Sequence, residues 1–212
     1  MLKVNEIYFS VQGESTYAGR PCVFIRLTYC NLRCTYCDTE YAFYEGYDSK
    51  VDSIIKEVKK YKCNLVELTG GEPLIQEESF VLMEKLCSAG FEVMLETGGH
   101  MSIKEVDKRV KIIMDLKCPS SKMMKKNHYE NIAYLKKIDE VKFVIGTRED
   151  YDWMKIILSE YNLDKKVPIL CSVVFGELEP VTLVNWILED NLNVRYQLQM
   201  HKIIWEPQER GV

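Results

Sequence analysis

Three cysteines lie within eight residues, in the segment TYCNLRCTYCDT at positions 28–39. Cys30, Cys34 and Cys37 are the three, and no fourth cysteine lies close to them in the sequence. Thiolates at this spacing on an irregular loop can bind one side of a metal centre, because the backbone allows all three sulfurs to point inward. The spacing therefore raises the question of what completes the coordination.

Two kinds of metal centre are weighed for this segment. Structural zinc takes four ligands, usually from two separated pairs, but a second pair is missing and His100, His128 and His201 stand alone. An iron–sulfur cubane also commonly takes four cysteines, so three would leave one iron without a protein ligand. That iron could bind a molecule offering an amine and a carboxylate, as S-adenosylmethionine (SAM) does. A zinc-binding interaction module is kept as the non-enzyme alternative.

Composition indicates an ordinary globular protein of 212 residues with 47% hydrophobic residues and a formal charge of −4. This length predicts a single domain over residues 1–212. The lysines are spread among acids, which argues against direct nucleic-acid binding. We expect a cytoplasmic protein with no membrane association, because no apolar run reaches about 20 residues and no signal peptide is evident. The other cysteines are expected to be reduced structural residues.

Apolar runs rich in β-branched residues alternate with helical patterns along the chain. Their near-continuous apolar character is typical of strands buried on both faces of a parallel sheet. Strands are predicted at residues 22–28, 65–69, 91–96, 110–116, 141–145, 168–174 and 194–200. About six strand–helix units are fewer than a closed eightfold barrel needs. The predicted fold is therefore α/β, an incomplete TIM-like barrel of the (β/α)6 type with a parallel sheet core.

Four helices are predicted from apolar spacing and end signals. The first carries Val51, Ile54, Ile55 and Val58 on one face, with Ser49 and Asp52 as a capping box. The second spans residues 77–89 and is ended by Gly90. The third spans about 148–161, with Thr147 and Asp150 as a capping pair and a buried stripe of Trp153, Ile156 and Ile157. The fourth has Pro180 in its first turn, with Val184, Ile187 and Leu188 facing inward.

Polar segments follow four consecutive predicted strands. They are CNLRCTYCDT (30–39), TGGEP (69–73), ETGG (96–99) and DLKCPSS (115–121). In a parallel barrel the loops after the strands share one face, and that face carries the active site. The four segments are therefore predicted to meet at one opening.

The cysteine segment, with the aromatic Tyr36 before the last cysteine, resembles the signature of the radical SAM superfamily. The resemblance implies a [4Fe–4S] cluster on Cys30, Cys34 and Cys37, with SAM on the fourth iron. TGGEP on its own is a turn with glycine dihedrals, but beside this loop it resembles the superfamily's element for the methionyl part of SAM. The SAM contacts that the resemblance implies are Tyr36, Asp38, Gly71, Glu72 and Lys117.

Longer segments resemble the 7-carboxy-7-deazaguanine synthase family. They are residues 7–39 (IYFSVQGESTYAGRPCVFIRLTYCNLRCTYCDT), DLKCPSS at 115–121, VVFG at 173–176 and the tail at 198–212 (LQMHKIIWEPQERGV). The family converts 6-carboxy-5,6,7,8-tetrahydropterin into 7-carboxy-7-deazaguanine with loss of ammonia, for queuosine and related deazapurine pathways. Ser15 and Lys122 stand where glycine is frequent in the family, which puts the shape of those loops in question.

The resemblance also implies how the substrate is held. Arg26 would fork onto the substrate carboxylate and Glu14 would accept from the guanidine-like edge. A surface ion pair for Arg26, a solvated acid for Glu14 and a core position beside Trp205 for His201 are the structural alternatives. The substrate contacts implied in full are Val11, Gln12, Gly13, Glu14, Arg26, Thr69 and His201.

Further partners follow from the same resemblance. Thr39 would contribute to a Mg²⁺ ion, a hard cation that takes few protein ligands. A flavodoxin or ferredoxin is the expected electron donor, and a homodimer is the expected assembly. No residue is expected to act as a proton-transfer catalyst beyond the cofactor ligands. A glycyl-radical-enzyme activase, which shares the cysteine loop and SAM but acts on a protein, is the alternative enzyme.

Overall fold

The structure, a computed structural model, describes residues 1–207 and 209–212. Gln208, which falls within the C-terminal segment quoted above, lies outside the described residues. The strands are β1 Leu2–Val11, β2 Pro21–Leu27, β3 Tyr47–Ser49, β4 Leu65–Gly70, β5 Glu92–Thr97, β6 Lys111–Asp115, β7 Glu140–Ile145, β8 Ile169–Val173 and β9 Arg195–Tyr196. The α-helices are α1 Val51–Val58, α2 Glu78–Ser88, α3 Arg148–Tyr161, α4 Pro180–Glu189 and α5 His201–Ile204.

Short 3-10 helices occupy several of the connections. They are Glu40–Phe43, Lys59–Tyr61, Pro73–Ile75, Pro119–Ser121, Met124–Lys126, Tyr129–Ala133 and Leu163–Lys165. Across the described ranges, no helix is both long enough and apolar enough to cross a bilayer.

The strands of the described residues form one open sheet in the order β3-β1-β2-β4-β5-β6-β7-β8-β9. From β2 onward each neighbour is parallel to the last, whereas β1 pairs antiparallel with both β2 and β3. The parallel α/β core predicted from the sequence is confirmed. The predicted strand at 194–200 is wrong for most of its length, because only Arg195–Tyr196 pairs with β8.

The two faces of the sheet have different partners. Alternate strand residues such as Val66, Leu95 and Phe143 pack with α1 to α4 in the main apolar core. The opposite face, called here the inner face, carries a smaller apolar cluster that receives no helical residue. The inner cluster consists of Cys22, Phe24, Leu65, Met94, Ile113 and Leu170. Since strand side chains alternate between faces, the residues two positions further along each strand also point inward.

The β1–β2 connection crosses the amino ends of the parallel strands on the inner face. Thr16 N donates to Glu140 Oε1 at 3.1 Å, and Lys111 Nζ lies 2.7 Å from the same carboxylate. Tyr17 OH donates to Glu92 Oε1 at 2.6 Å. Glu92, Lys111 and Glu140 are the first residues of β5, β6 and β7. The inner face is therefore covered at its amino end and open at its carboxyl end.

The hydrogen bonds at the amino ends of α1 and α3 test the capping residues predicted for these two helices. The capping pair at α3 is confirmed, since Asp150 N donates to Thr147 Oγ1 at 3.2 Å and Thr147 N to Asp150 Oδ2 at 3.0 Å. The capping box at α1 is wrong: Lys50 is the N-cap and makes no side-chain cap bond. Asp52 instead bonds Lys85 Nζ of α2 at 2.8 Å. The Asp52 carboxylate faces α2, so it pairs with Lys85 of that helix instead of accepting from a backbone N–H of α1.

The inward stripes of α3 and α4 are shifted from those predicted. Ile156 is 62% exposed and Leu188 is 70% exposed, so both predictions of burial are wrong. Met154 and Leu183 are fully buried in their place, while Ile157 and Ile187 are buried as predicted. Pro180 is the first residue of α4, as predicted.

Candidate active site

A cavity of about 620 Å³ opens at the carboxyl ends of the parallel strands. Its lining includes residues from β1, β2 and from β4 to β7, together with the loops that follow them and the C-terminal segment. Every residue that the sequence predicted for the cluster, for SAM, for Mg²⁺ or for the substrate lies on its wall. The structure therefore brings the predicted residues together around one cavity.

The cysteine loop follows β2 and forms one side of the cavity. Cys30, Cys34 and Cys37 are free, half-buried thiols. Burial raises the pKa of Cys30 and raises that of Cys34 to about 11, so both are protonated at neutral pH until a metal binds. Thr35 Oγ1 donates to Ser120 O at 2.8 Å, which ties this loop to the Pro119–Ser121 turn.

No three His, Cys, Asp or Glu side chains among the described residues converge on a point where one metal ion could be held. Each thiolate of an iron–sulfur cubane binds its own iron, so cluster ligands need not converge in this way. Three soft thiolate donors on one loop are the donor set that such a cluster takes. The residues present therefore fit a cluster with one iron left for another ligand.

The glycine loop after β4 packs directly on the cysteine loop. Glu72 N donates to Tyr29 O at 2.7 Å, and Gly71 N donates to Leu27 O at 3.2 Å. A Cβ on Gly71 would clash with Tyr29 O and lie 3.1 Å from Cys30 Cβ. Only glycine permits this approach, so the loop lies against the first thiol of the cluster segment.

Glu72 is fully buried and holds the glycine loop to the end of β5. Its carboxylate accepts hydrogen bonds from Leu74 N at 3.0 Å, Thr97 Oγ1 at 2.9 Å and Gly98 N at 2.8 Å. Burial raises the pKa of Glu72, and the backbone donors partly oppose that rise. The carboxylate that the resemblance assigned to SAM is therefore already engaged in positioning the loop, although its residue also lines the cavity.

Two residues that line the cavity beside the cysteine loop each have a buried polar atom with no hydrogen-bond partner in the part of the chain that the structure describes. The two atoms are Tyr36 OH and Asp115 Oδ1. The other oxygen of Asp115 lies 2.8 Å from Lys117 Nζ. Burial alone would lower the pKa of Lys117, but Asp115 more than offsets it and keeps the ammonium charged. Unsatisfied buried groups are costly, so this side of the cavity is suited to a polar ligand.

Asp38 and Thr39 follow the last cysteine. Asp38 Oδ2 lies 2.7 Å from Lys202 Nζ of α5; burial would raise the pKa of Asp38, but Lys202 outweighs it and lowers that pKa. Thr39 precedes the Glu40–Phe43 turn and makes no side-chain cap bond, so its hydroxyl is not used as a helix cap. Thr39 Oγ1 lies 3.8 Å from Cys37 Sγ.

The opposite wall carries Glu14 and a buried cation. Glu14 Oε2 accepts from Lys142 Nζ at 2.9 Å, and its two oxygens accept from Gln197 and Gln199 at 3.1 and 2.8 Å. Burial would raise the pKa of Glu14, but Lys142 and then Gln199 outweigh it and lower that pKa. Glu14 is thus a fixed, ionised group and not the solvated acid of the structural alternative.

Arg26 stands on the inner face of β2 and is held on two sides. Its Nε donates to Glu6 Oε1 at 2.8 Å and one terminal nitrogen donates to Tyr8 OH at 2.9 Å. Both partners come from β1, so the ion pair belongs to the cavity wall and not to the surface. Thr69, the neighbour of Arg26 across the β2–β4 pairing, also lines the cavity.

The remaining rim comes from the β1–β2 connection and from α5. Val11, Gln12 and Gly13 line the cavity, and a Cβ on Gly13 would clash with Nδ1 of His201. Burial lowers the pKa of His201. The histidine therefore packs against the rim glycine with a neutral ring, at the cavity and not in a separate core.

Two charged residues of the cavity were missed by sequence reasoning. They are Glu67 of β4 and Lys142 of β7, whereas Glu96 and Asp115 begin two of the segments that were predicted to meet at this opening. The signal that could have found them is a charged residue inside an otherwise apolar strand, as in VELT and VKFVI.

Comparisons with known proteins agree with this arrangement. Residues 24–139 match the model of the radical SAM superfamily. The chain is 42% identical to the 7-carboxy-7-deazaguanine synthase of Koribacter versatilis, with 100% of each chain covered. It is 43% identical to the enzyme of that name from Chlorobaculum tepidum, over 100% of this chain and 97% of the relative. The crystal structure of QueE from Escherichia coli has the same fold, with a TM-score of 0.78 at 20% identity over 94% of both chains.

Proposed function

This chain belongs to the 7-carboxy-7-deazaguanine synthase family of the radical SAM superfamily, and we propose that it converts 6-carboxy-5,6,7,8-tetrahydropterin into 7-carboxy-7-deazaguanine with release of ammonia. The observation that carries the proposal is that one cavity joins three free thiols to a fixed cation and a fixed anion. Its product would enter queuosine and related deazapurine biosynthesis.

The superfamily implies a [4Fe–4S] cluster and SAM. Cys30, Cys34 and Cys37 would hold the cluster, and the loop of Gly71, which packs against Cys30, would bind SAM next to it. When bound, the cluster supplies the electron that starts radical chemistry on SAM. Tyr36 OH and Asp115 Oδ1, both without partners in the described ranges, would satisfy polar groups of SAM. Asp38, Glu72 and Lys117 would complete that half of the cavity.

The substrate would lie between Arg26 and Glu14. A carboxylated pterin presents an anion at one end and N–H donors at the other, and the cavity offers a guanidinium and a carboxylate. Both groups are held by neighbouring side chains before any ligand binds, so little ordering would be needed. Val11, Gln12, Gly13, Thr69 and His201 would form the rim around the ring.

A Mg²⁺ ion near Thr39 is part of the proposal. The Thr39 hydroxyl is not engaged in capping, so it would be one of the few protein ligands of this hard cation, which would supply positive charge beside the substrate. We further propose that residues 1–212 act as one domain, that two copies form a homodimer in the cytoplasm, and that a flavodoxin or ferredoxin supplies electrons.

The protein's own contribution would be positioning and exclusion of water. A carbon radical reacts with many groups within reach, so the substrate must be fixed before the reaction begins. The ion pairs of Arg26 and Glu14 are both largely buried, which keeps the two ends of the site rigid. No proton-transfer role is proposed for any residue of the cavity.

The proposal is tested with anaerobically purified protein whose cluster has been reconstituted. A brown iron–sulfur protein that turns the carboxylated tetrahydropterin into the deazapurine, in the presence of SAM, Mg²⁺ and a reductant, is the expected result. A brown protein that does not bind the pterin but forms a radical on a protein partner would replace the proposal by an activase function. A colourless protein that holds one zinc ion would replace it by a binding module.

A further inference from the structure

Glu67 is a buried carboxyl group on the wall of the cavity. It lies on the inner face of β4, between Leu65 of the inner apolar cluster and Thr69 at the cavity rim. The residue is only 2% exposed, yet it lines the cavity. Carboxyl groups are rarely buried without a partner, so its hydrogen bonds indicate what it can do.

The protein engages one oxygen of Glu67. Gln12 Nε2 donates to Glu67 Oε2, and the amide oxygen of Gln12 accepts from Glu14 N at 3.0 Å. Within residues 1–207 and 209–212, Glu67 makes no other side-chain hydrogen bond. Its Oε1 therefore remains available on the wall of the cavity.

The charges around Glu67 are already paired. Lys142 Nζ lies between Glu14 and Glu96, and the guanidinium of Arg26 is paired with Glu6 at 2.8 Å. An ionised Glu67 would be a further anion beside two carboxylates. An uncompensated anion against an apolar cluster is strongly unfavourable. The protonated acid is therefore the form that this environment accommodates.

The pKa of Glu67 is shifted in the direction that this arrangement of charges requires. Burial, and after it the carboxylate of Glu96, raise the pKa of Glu67 well above its ordinary value, while Lys142 opposes the shift. The titratable or charged groups that face Glu67 are Tyr8, Glu14, Cys22, Arg26, Glu96 and Lys142.

Because Oε2 accepts from Gln12, the proton of the acid belongs on the other oxygen, Oε1. We propose that Glu67 is a further substrate-binding residue, which donates a hydrogen bond from its carboxylic acid to an acceptor atom of the pterin ring, the ring carbonyl being the chemical match. This rests on the function proposed above and adds specificity to it. Glu14 would accept hydrogen bonds from N–H groups of the ring, and Glu67 would donate one to the ring carbonyl. A ring without that carbonyl would leave the buried O–H of Glu67 unpaired and would therefore bind less tightly.

Two substitutions separate this role from simple packing. In Glu67→Gln the amide oxygen can accept from Gln12 while its NH₂ donates into the cavity, as the acid O–H does. In Glu67→Met the length of the side chain is kept but the donor is lost. Glu92→Gln is the matched control, because Glu92 lies at the amino end of β5 and does not line the cavity.

Steady-state kinetics of the cluster-loaded enzyme are measured for each variant with the carboxylated tetrahydropterin. Glu67→Met is expected to raise KM roughly 10- to 100-fold with a smaller change in kcat. Glu67→Gln is expected to stay within about threefold of wild type at neutral pH, and Glu92→Gln to match wild type. Above the pKa of Glu67 the wild-type KM should rise, whereas that of Glu67→Gln should not.

Several outcomes would overturn the proposal. An unchanged KM in Glu67→Met would show that the side chain does not contact the substrate. A loss in Glu67→Gln as large as in Glu67→Met would show that the carboxylate, not the acid, is required. If Glu67→Met fails to fold, the pH profile of Glu67→Gln decides the matter. A wild-type enzyme that does not turn over the pterin would instead overturn the proposed function.

Discussion

Lys142 Nζ lies 2.9 Å from Glu14 Oε2 and contacts Glu96 on its other side, although Glu14 and Lys142 are 128 residues apart. One ammonium group from β7 thus fixes a carboxylate of the β1–β2 connection and one from the end of β5. Burial alone would lower the pKa of Lys142, but Glu14 and Glu96 raise it well above its usual range.

Replacement of this cation is expected to be strongly destabilising. Lys142→Met leaves two largely buried carboxylates without their partner, and losses of about 3–5 kcal/mol are typical of such broken pairs. Urea unfolding at neutral pH measures the change in the free energy of unfolding. Lys60→Met, in the exposed pair with Glu57, is the control and should change little. Equal stabilities of the two variants would contradict the assigned charge state.

The pH dependence of stability should report the raised pKa of Glu67. Between its ordinary value of 4.5 and its raised folded value, the folded state binds one proton more than the unfolded state. The contribution of Glu67 to the free energy of unfolding is therefore complete below 4.5 and declines as pH rises, by up to about 1.4 kcal/mol per pH unit. Glu67→Gln lacks this pH-dependent contribution, so the stability of the variant relative to wild type should increase with pH.

Urea unfolding at a series of pH values between about 5 and 8 checks this slope. Arg20 and Tyr17 lower the pKa of Glu92 and burial opposes them, so Glu92→Gln should differ from wild type by a constant amount over that range. A constant difference for Glu67→Gln as well would mean that Glu67 is ionised in the folded protein.

Loss of one cluster thiol should abolish activity without unfolding the chain. Cys34→Ala is expected to give a colourless or weakly coloured protein with no turnover of the pterin, because two thiolates do not retain a cubane. Iron and sulfide analysis together with visible absorbance measure this. Cys87→Ala, on α2 and outside the cavity, should keep both colour and turnover. A fully active Cys34→Ala protein would refute the cluster assignment.

The close contact between the glycine loop and the cysteine loop predicts that a side chain at Gly71 would not be tolerated. Gly71→Ala should displace the glycine loop from Tyr29 O and weaken SAM binding, with turnover reduced on the order of 100-fold as misplaced reactants are. Equilibrium dialysis with labelled SAM under anaerobic conditions measures the affinity. Gly90→Ala is the control, since its Cβ meets nothing within 4 Å and its φ of +89° should cost only about 1 kcal/mol of stability. SAM affinities reduced equally in both would disprove the loop contact.

Two departures from the family pattern fall at positions where the backbone is left-handed. Ser15 and Lys122, which stand where glycine is frequent in the family, have φ of +65° and +60°. These positions retain a glycine-like backbone, so the loops are kept at some cost in strain. Ser15 compensates in part, because its hydroxyl accepts from Tyr17 N at 2.9 Å.

Lys122→Gly should therefore raise the free energy of unfolding by about 1 kcal/mol, since glycine adopts the left-handed region without a Cβ penalty. Thermal and urea unfolding measure the gain. Lys125→Gly, in the Met124–Lys126 turn, should lower stability instead. A loss of stability in both variants would show that Lys122 is not strained.

The parallel core was predictable because strands buried on both faces are nearly continuous apolar runs, as β7 and β8 are in the structure. β1 was not predicted. Only Leu2 and Val4 are buried in this strand, which lies at the antiparallel side of the sheet, so LKVNEIYFSV carries a weaker apolar signal. Without β1, Glu6 could not be foreseen as the partner of Arg26.

The candidate site was predictable where its residues belong to contiguous motifs. The cysteine loop and TGGEP were found because their spacing alone suggests a metal loop and a turn. Glu67 and Lys142 were not predicted because each is a single charge within a strand, and Glu96 was predicted at the opening but not as the partner of Lys142. Their meeting depends on strand register and on the β1–β2 connection crossing the sheet, and neither is encoded at short range in the sequence.

The pinning of the β1–β2 connection by Glu140 has a consequence for the order of assembly during synthesis. Thr16 and Glu140 are 124 residues apart, so the wall that carries Glu14 and Lys142 cannot form until β7 has left the ribosome and paired. Cys30, Cys34 and Cys37, by contrast, all emerge early and within one short stretch. A nascent chain therefore exposes its three neighbouring thiols before that wall of the cavity exists.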